Sequence, residues 1–541
     1  MSDGTFRVPT PVNEPVKGYA PGSAERASLE AEVAAQRATR VEAPNVIGGI
    51  DVTTGDTFVQ RAPHDHGLEL AEVHAAGAPE VERAIEAAVA AQPEWAAMPF
   101  ADRAAIFLRA AHLLAGPWRD TINAATILGQ SKSVQQAEID AACELIDFLR
   151  FNVAYAERLL TEQPESVDGE WNRLDVRPLE GFVLAITPFN FTAIAGNLPT
   201  APAIVGNTVV WKPSEKQALA AHHTMRLLQA AGLPDGVINL VHGDGARVAE
   251  VALADPRFAA LHFTGSETVL SSLWERIGRN VSSYRSFPRI VGESGGKDFV
   301  LAHASARLEP LVVALGRGAF EYQGQKCSAA SRAYLPRSLW SQLRDPLADV
   351  ATSMTMGDVG RDLSTFMGAV IGEGAFRTHA AAIERARRDG AEVLVGGDPD
   401  DSDGWFVPPT VLVTDDPRSH SMTTELFGPI LTVFVYDDAE WEAMLTEVDQ
   451  ATRYALTGAI LAEDRQVLSD ASEALRNTAG NLYLNDKPTG SVVARQPFGG
   501  ARRSGTNDKA GSVFNLLRWV SPRAIKETWD PPTDWRYPHQ G

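Results

Sequence analysis

"GFVLAITPFNFTAIAGNLPTAPAIVGNTVVWKPSE", Gly181 to Glu215, is the stretch on which the fold turns. An apolar run, a helix-compatible segment through Ile204 and a second apolar run, TVVWKP, follow one another closely. Strands that are apolar on both sides and linked by helices belong to a parallel sheet covered on both faces. The pattern continues outward. KQALAAHHTMRLLQAAG reads as a helix, GVINLVHG as a strand, GARVAEVALAD as a helix, FAALHFTG as a strand and SETVLSSLWERIGRN as a helix. This alternation predicts an α/β chain with a doubly wound sheet.

Upstream, residues 79–165 read as mostly helical. Ile139, Cys143, Ile146, Leu149 and Val153 keep a helical spacing, which assigns Cys143 to a packing stripe. SVDGEWNRLDVRPLEG, with its alternation and its Asp-Gly pair, reads as a β-hairpin arm. A second α/β pattern runs from Arg289 to about Leu484, and the tail after Thr506 is rich in Trp, Pro and Arg. Its aromatics suggest that it docks on another surface, such as a second subunit.

The bulk properties narrow the class. A chain of 541 residues suggests two or three domains at roughly 150 residues each. With 69 acidic against 49 basic residues the formal charge is −20, and no basic stripe offers a footprint for nucleic acid. No apolar run is long enough to span a bilayer. Cys143 and Cys327 are too few for a disulfide framework, which indicates a reducing compartment. The N-terminal stretch shows neither a signal-peptide core nor an Arg-rich presequence, so the expectation is a cytoplasmic protein.

Several turns carry candidate chemistry. In HGDGARVA, Gly243 and Gly245 match the first two glycines of a dinucleotide fingerprint, but Val248 replaces the third. FTGSE places Gly265 and Ser266 at a helix start, where free N–H groups suit a pyrophosphate. WKPSE sets Lys212 and Glu215 past a strand end, either as a pair for ribose hydroxyls or as a solvated loop pair. GESGGK puts Glu293 beside a glycine turn, where a carboxylate could swing as a general base or simply face solvent. YQGQKCSAASR surrounds Cys327 with the polar Gln325, Lys326 and Ser328, a setting for a nucleophilic thiol. A papain-like peptidase would lack its usual local motif here. HDH at 64–66 and HH at 222–223 lack further ligands at zinc spacing, so no metal is assigned.

Taken in order, TPFNF, WKPSE, FTGS, GESGGK, GQKCSA, ELFGP and PFGG resemble the aldehyde dehydrogenase superfamily from about Asn45 to the C-terminus. The resemblance implies an NAD-binding domain over 1–166 and 182–292, and a catalytic domain over 293–505. It also implies oligomerisation elements at 167–181 and 506–541, and at least a homodimer. Cys327 would be the nucleophile, Asn190 the oxyanion donor and Glu293 the base for hydrolytic water. Lys212, Glu215, Ser266, Glu425 and Phe427 would hold NAD, with Gly265 in the phosphate turn and Gly245 beside the adenosine pocket.

A narrower likeness, in GQKCSAASR, NDKPTGSVVARQPFGGARRSGTNDKAG and NEPV, is to the branch that oxidises L-glutamate γ-semialdehyde. It implies a carboxylate anchor at Ser328, Gly490 and Ser491, an aromatic pair at Phe191 and Phe498, and Glu144 facing the substrate ammonium. Arg495 and Pro488 depart from the branch pattern. The Ser/Gly-rich anchor separates this reading from succinate semialdehyde, whose dehydrogenases hold the carboxylate with a basic side chain. Glu293 argues against a CoA-acylating enzyme, and the intact Cys327, Asn190 and Glu293 argue against a non-catalytic structural protein.

Overall fold

The computed structural model describes residues 7–541; residues 1–6 of the expected first domain lie outside it. One seven-stranded sheet runs in the order Arg289–Glu293, Phe258–Thr264, Phe182–Ile186, Thr208–Lys212, Ile238–Leu240, Asn45–Ile47, Ile50–Val52. The first five are parallel, and the last two add antiparallel edges. Strand order reverses between Phe258–Thr264 and Phe182–Ile186, which is where a doubly wound sheet opens a crevice at its carboxyl ends. Alternate residues of each strand enter opposite cores. Val183, Ala185, Val209 and Trp211 pack on one face, and Phe182, Leu184, Val210 and Leu261 on the other. Full coverage of both faces explains why these strands read as unbroken apolar runs.

The second seven-stranded sheet has the order Glu392–Val395, Thr410–Thr414, Ile430–Tyr436, Ala330–Pro336, Asp298–Ala302, Thr457–Leu461, Asn481–Leu484. Only Glu392–Val395 is antiparallel. The second α/β pattern was expected from Arg289. Instead Arg289–Glu293 pairs with Phe258–Thr264 and closes the first sheet. The Ser294–Lys297 loop therefore crosses from one sheet to the other.

Two further expectations are corrected. The strand at Glu170–Pro178 has no local hairpin partner; it pairs residue for residue with Val520–Thr528 at the far end of the chain. Alternation shows that a strand exists but not which strand it pairs with. Nor is the tail after Thr506 wholly an appendage. Leu516, Trp519 and Val520 are buried in the first core, and the Trp519 ring lies 4.4 Å from that of His262.

Upstream, the helices Ala78–Ala97, Phe100–Ala115, Arg119–Gln130 and Leu145–Thr161 form as expected. A π-helical turn, Glu138–Glu144, precedes the last of them. Its extra residue shifts the phase of the face, as π-turns do near functional sites. Ile146, Leu149 and Val153 are fully buried, while Ile139 is only half-buried. Cys143 is buried, but against Arg119 Nη2 at 3.6 Å and Glu138 Oε1 at 3.6 Å rather than in an apolar stripe.

Candidate active site

The residues Lys212, Glu215, Gly245, Gly265 and Ser266, expected to hold a nucleotide, lie just at or beyond the carboxyl ends of the first sheet's strands. Lys212 ends the strand Thr208–Lys212 and is buried, which depresses its ammonium's proton affinity, while Glu215 and Asp244 draw it back up. Glu215 is exposed in the short turn that follows. Asp244 caps the helix Gly245–Ala252, and a Cβ on Gly245 would sit 3.4 Å from Lys212 Nζ. Ser266 caps the helix Glu267–Asn280 by accepting from Val269 N–H. Its hydroxyl proton stays available beside free first-turn N–H groups. Gly265 stacks its Cα over the Phe263 ring, where a Cβ would approach to 2.6 Å. Lysine and carboxylate beyond one strand, with two helix N-termini beyond the next two, fit a dinucleotide.

The Ser-Gly-Gly turn read as a hinge has a different physical basis. A Cβ on Gly295 would collide with the Glu425 carboxylate, and one on Gly296 would come within 2.6 Å of the Cys327 carbonyl. The glycines let Glu425 and the Cys327 backbone approach closely. Glu425 accepts from Gly296 N–H at 2.9 Å, and burial raises its pKa to about 7. Phe427 adopts φ +56° and sets its ring edge-on to Phe189 at 5.8 Å.

Cys327 precedes the strand Ala330–Pro336. Its approach is strained: Tyr322 and Gln323 have φ of +51° and +53°, which cost on the order of 1–3 kcal/mol each for non-glycine residues. Gln323 Nε2 donates to the Ser131 and Ala369 carbonyls, which holds the turn in place. Two polar neighbours of Cys327 point away from the thiol. Lys326 pairs with Glu321 at 2.9 Å, and Gln325 Oε1 accepts from Ile371 N–H. Burial, then Asp298, Glu293 and Glu425, push the Cys327 thiol well above its ordinary range, so it rests protonated. Asn190 is buried and donates one Nδ2 proton to the Gln325 carbonyl at 3.0 Å, leaving its second free. Glu293, last residue of its strand, accepts from Gly500 N–H at 2.8 Å. Burial raises its pKa to about 8.

One cavity of about 330 Å³ holds part of this set; Asn190 and the expected cofactor residues are not among its lining. Cys327, Glu293, Ser328, Gly490, Ser491, Phe191, Phe498 and Glu144 all line it. Ser328 Oγ and Thr489 Oγ1 share a hydrogen bond of 2.8 Å. Glu144 faces the cavity with its pKa raised to about 8 by burial and Asp140.

Sequence reasoning missed four contributors. Asp140 accepts from Thr192 and Ala193 N–H, capping the helix that carries Asn190 and Phe191 at its start. Lys132 pairs with Asp140 at 2.5 Å and stacks on Phe191 and Tyr322 at 4.2 and 4.4 Å. Thr489 partners Ser328. Asn13 donates to Asp147 and to the Val493 carbonyl and accepts from Arg495, tying the N-terminal strap to the loop after Ser491. No metal-binding cluster occurs among the described residues.

The model of the aldehyde dehydrogenase family matches residues 51–523. The chain belongs to the aldehyde dehydrogenase family. This aldehyde dehydrogenase is 48% identical over 542 residues to delta-1-pyrroline-5-carboxylate dehydrogenase of Agaricus bisporus, covering 99% of this chain and 98% of that one. It is 46% identical over 526 residues to the human enzyme, named mitochondrial, covering 97% and 93%. The crystal structure of the Mycobacterium tuberculosis delta-pyrroline-5-carboxylate dehydrogenase bound with NAD matches with TM-score 0.97 and 57% identity over 100% of both chains.

Proposed function

We propose that the chain catalyses NAD-dependent oxidation of L-glutamate γ-semialdehyde, the open form of 1-pyrroline-5-carboxylate, to L-glutamate, a step of proline catabolism. The observation that carries this reading is the single cavity running from Cys327 to the Ser328–Thr489–Gly490–Ser491 cluster. The cavity holds a nucleophile together with hydroxyls and backbone N–H groups.

In this reading the Cys327 S–H bond breaks as Sγ bonds to the aldehyde carbon: the thiol proton leaves to water, and the carbonyl π pair moves to the oxygen, which takes up the negative charge. The free Asn190 Nδ2 proton and the Cys327 N–H receive that oxyanion. Such preorganised donors are typically worth about 3–4 kcal/mol. NAD, when bound by Lys212, Glu215, Gly265, Ser266, Glu425 and Phe427, supplies the hydride acceptor that leaves a thioester on Cys327. Glu293 then takes a proton from water, the water oxygen bonds to the carbonyl carbon, and the Cys327 sulfur leaves. A base whose pKa lies near 8 holds and releases that proton close to neutral pH. Ser328, Gly490 and Ser491 grip the α-carboxylate, Phe191 and Phe498 flank the aliphatic middle, and Glu144 receives the ammonium.

The decisive assay follows NADH at 340 nm with pyrroline-5-carboxylate, succinate semialdehyde and propanal. A kcat/KM for the pyrroline substrate at least ~100-fold above the others is expected. Comparable rates on all three would remove the substrate assignment and keep the dehydrogenase.

The same reading extends to assembly and place. The ribbon of Glu170–Pro178 and Val520–Thr528 is the oligomerisation element of at least a homodimer, with Trp171 and Trp529 exposed beside it. Light scattering of the chain with and without residues 520–541 tests this. No helix among the described residues is long and apolar enough to cross a membrane. The free thiols of Cys143 and Cys327 fit the cytoplasm, which cell fractionation checks.

A further inference from the structure

Five cations line the cavity: Arg317, Lys326, Lys487, Arg495 and Lys509. Four of them are committed. Arg495 Nε donates to Asn13 Oδ1, and Lys509 Nζ to Asn481 Oδ1 and the Gly480 and Gly499 carbonyls. Arg317 Nε and Lys326 Nζ both pair with Glu321, at 2.8 and 2.9 Å. Lys487 is different. No carboxylate among the described residues lies within ion-pair distance of its ammonium, although it contributes to the field that holds Glu321 ionised. Its Nζ lies 3.2 Å from where a Cβ on Gly490 would stand. Gly490 has φ +95°, so the turn Lys487–Gly490 folds the lysine back over the backbone of the anchor. The lysine is half-buried, and its stem packs toward Gly318 on the helix Leu308–Phe320, which limits where its ammonium can go.

A half-buried ammonium without a counter-ion, in a cavity whose other cations already have carboxylate, amide or carbonyl partners, is matched by an anion from outside the chain. Charge-assisted hydrogen bonds to a carboxylate are roughly twice as strong as neutral ones, so this group would outweigh any single hydroxyl of the anchor. We infer that Lys487 binds the carboxylate of the substrate directly, completing with its charge the anchor that Ser328, Gly490 and Ser491 form with neutral donors. This rests on the acidic-semialdehyde reading given above. It also corrects the view that the anchor has no basic side chain: the lysine comes from three residues before Gly490 and reaches it through the turn. Because any acidic semialdehyde carries such a carboxylate, Lys487 selects for the acid as a class. Choice among acids falls to the rest of the cavity, including Glu144.

The test compares wild type with Lys487→Met and Lys487→Arg, using pyrroline-5-carboxylate, succinate semialdehyde and propanal at several ionic strengths. In Lys487→Met the ratio of kcat/KM for pyrroline-5-carboxylate to that for propanal is expected to fall on the order of 10–30-fold, with the loss in KM rather than kcat. The rise of KM with added salt should flatten in the same variant, because a screened charge pair has been removed. Lys487→Arg should recover most of the ratio, which a merely structural role of the stem would not require. A ratio in Lys487→Met within twofold of wild type, or loss confined to kcat, overturns the assignment. A wild type that shows no preference for either acid over propanal instead sinks the acidic-semialdehyde reading. Those two failures are therefore distinguishable.

Discussion

Near Cys327 the carboxyls of Glu293 and Glu425 are held by backbone N–H groups and by no ion pair among the described residues. In the neighbouring cluster Ser328, Thr489 and Gly490 present neutral dipoles beside an ammonium. The first arrangement leaves titratable groups with pKa values lifted by burial toward neutrality, at about 8 and about 7. Proton transfer needs a group whose two states are close in energy, and desolvation supplies this where a paired cation would fix the carboxylate. Gripping an anion needs fixed donors. In the proposed reading the same low-dielectric cavity thus combines poise around Glu293 with grip around Gly490.

Breaking the reactive end should have the largest effect. Cys327→Ala is expected to lower dehydrogenase kcat on the order of 10⁴-fold while cofactor affinity, measured by fluorescence titration, is retained. Retained turnover would remove Cys327 from the chemistry. Next comes the frame behind both ends. Lys132→Met leaves the Asp140 carboxylate buried with only the Thr192 and Ala193 N–H groups, and should cost about 3–5 kcal/mol in denaturant unfolding. A change under about 1 kcal/mol would show that those two N–H groups suffice.

Glu293→Gln sharpens the comparison without unfolding anything. The first turnover should persist as a burst of NADH, followed by a steady state about 10²-fold slower, because only thioester hydrolysis loses its base. Glu293 also fixes a pH dependence of stability. Its carboxyl takes up a proton in the fold up to about pH 8, but in the unfolded chain only up to its ordinary pKa of 4.5. Between those values the native state binds more protons, so this group's contribution to stability declines as pH rises. Glu293→Gln should flatten that decline in melts from pH 5 to 8; an unchanged slope would count against a raised pKa. The smallest effect lies at the strap. Asn13→Ala frees the loop after Ser491 from Asp147 and should raise KM for pyrroline-5-carboxylate about 3–5-fold, with kcat kept.

Most of the reactive end was legible because its residues sit in short local motifs. Glu293 ends a strand, Asn190 lies just before a helix and Cys327 just before a strand, boundaries that the apolar pattern marks. The supporting layer was not legible. Lys132 lies in a short break between helices and Asp140 in the π-turn Glu138–Glu144, in sequence of ordinary composition, and only folding brings Asp140 to the Thr192 N–H. Asn13 acts on Val493 across 480 residues of chain, a distance at which no local pattern carries information. The hairpin reading of 167–181 failed for the same reason, since its partner strand lies at Val520–Thr528.

The sequence alone was enough for the two α/β patterns and the turn residues at the carboxyl ends of their strands, because period and turn residues are local properties; the role proposed for Cys327 rests on its resemblance to the family motif. Tertiary structure alone decided which cations are free. Arg317, Lys326 and Lys487 look alike along the chain, but only folding brings Glu321 to the first two and leaves the third over Gly490. Charge pairing depends on distances in space, and those are fixed by packing.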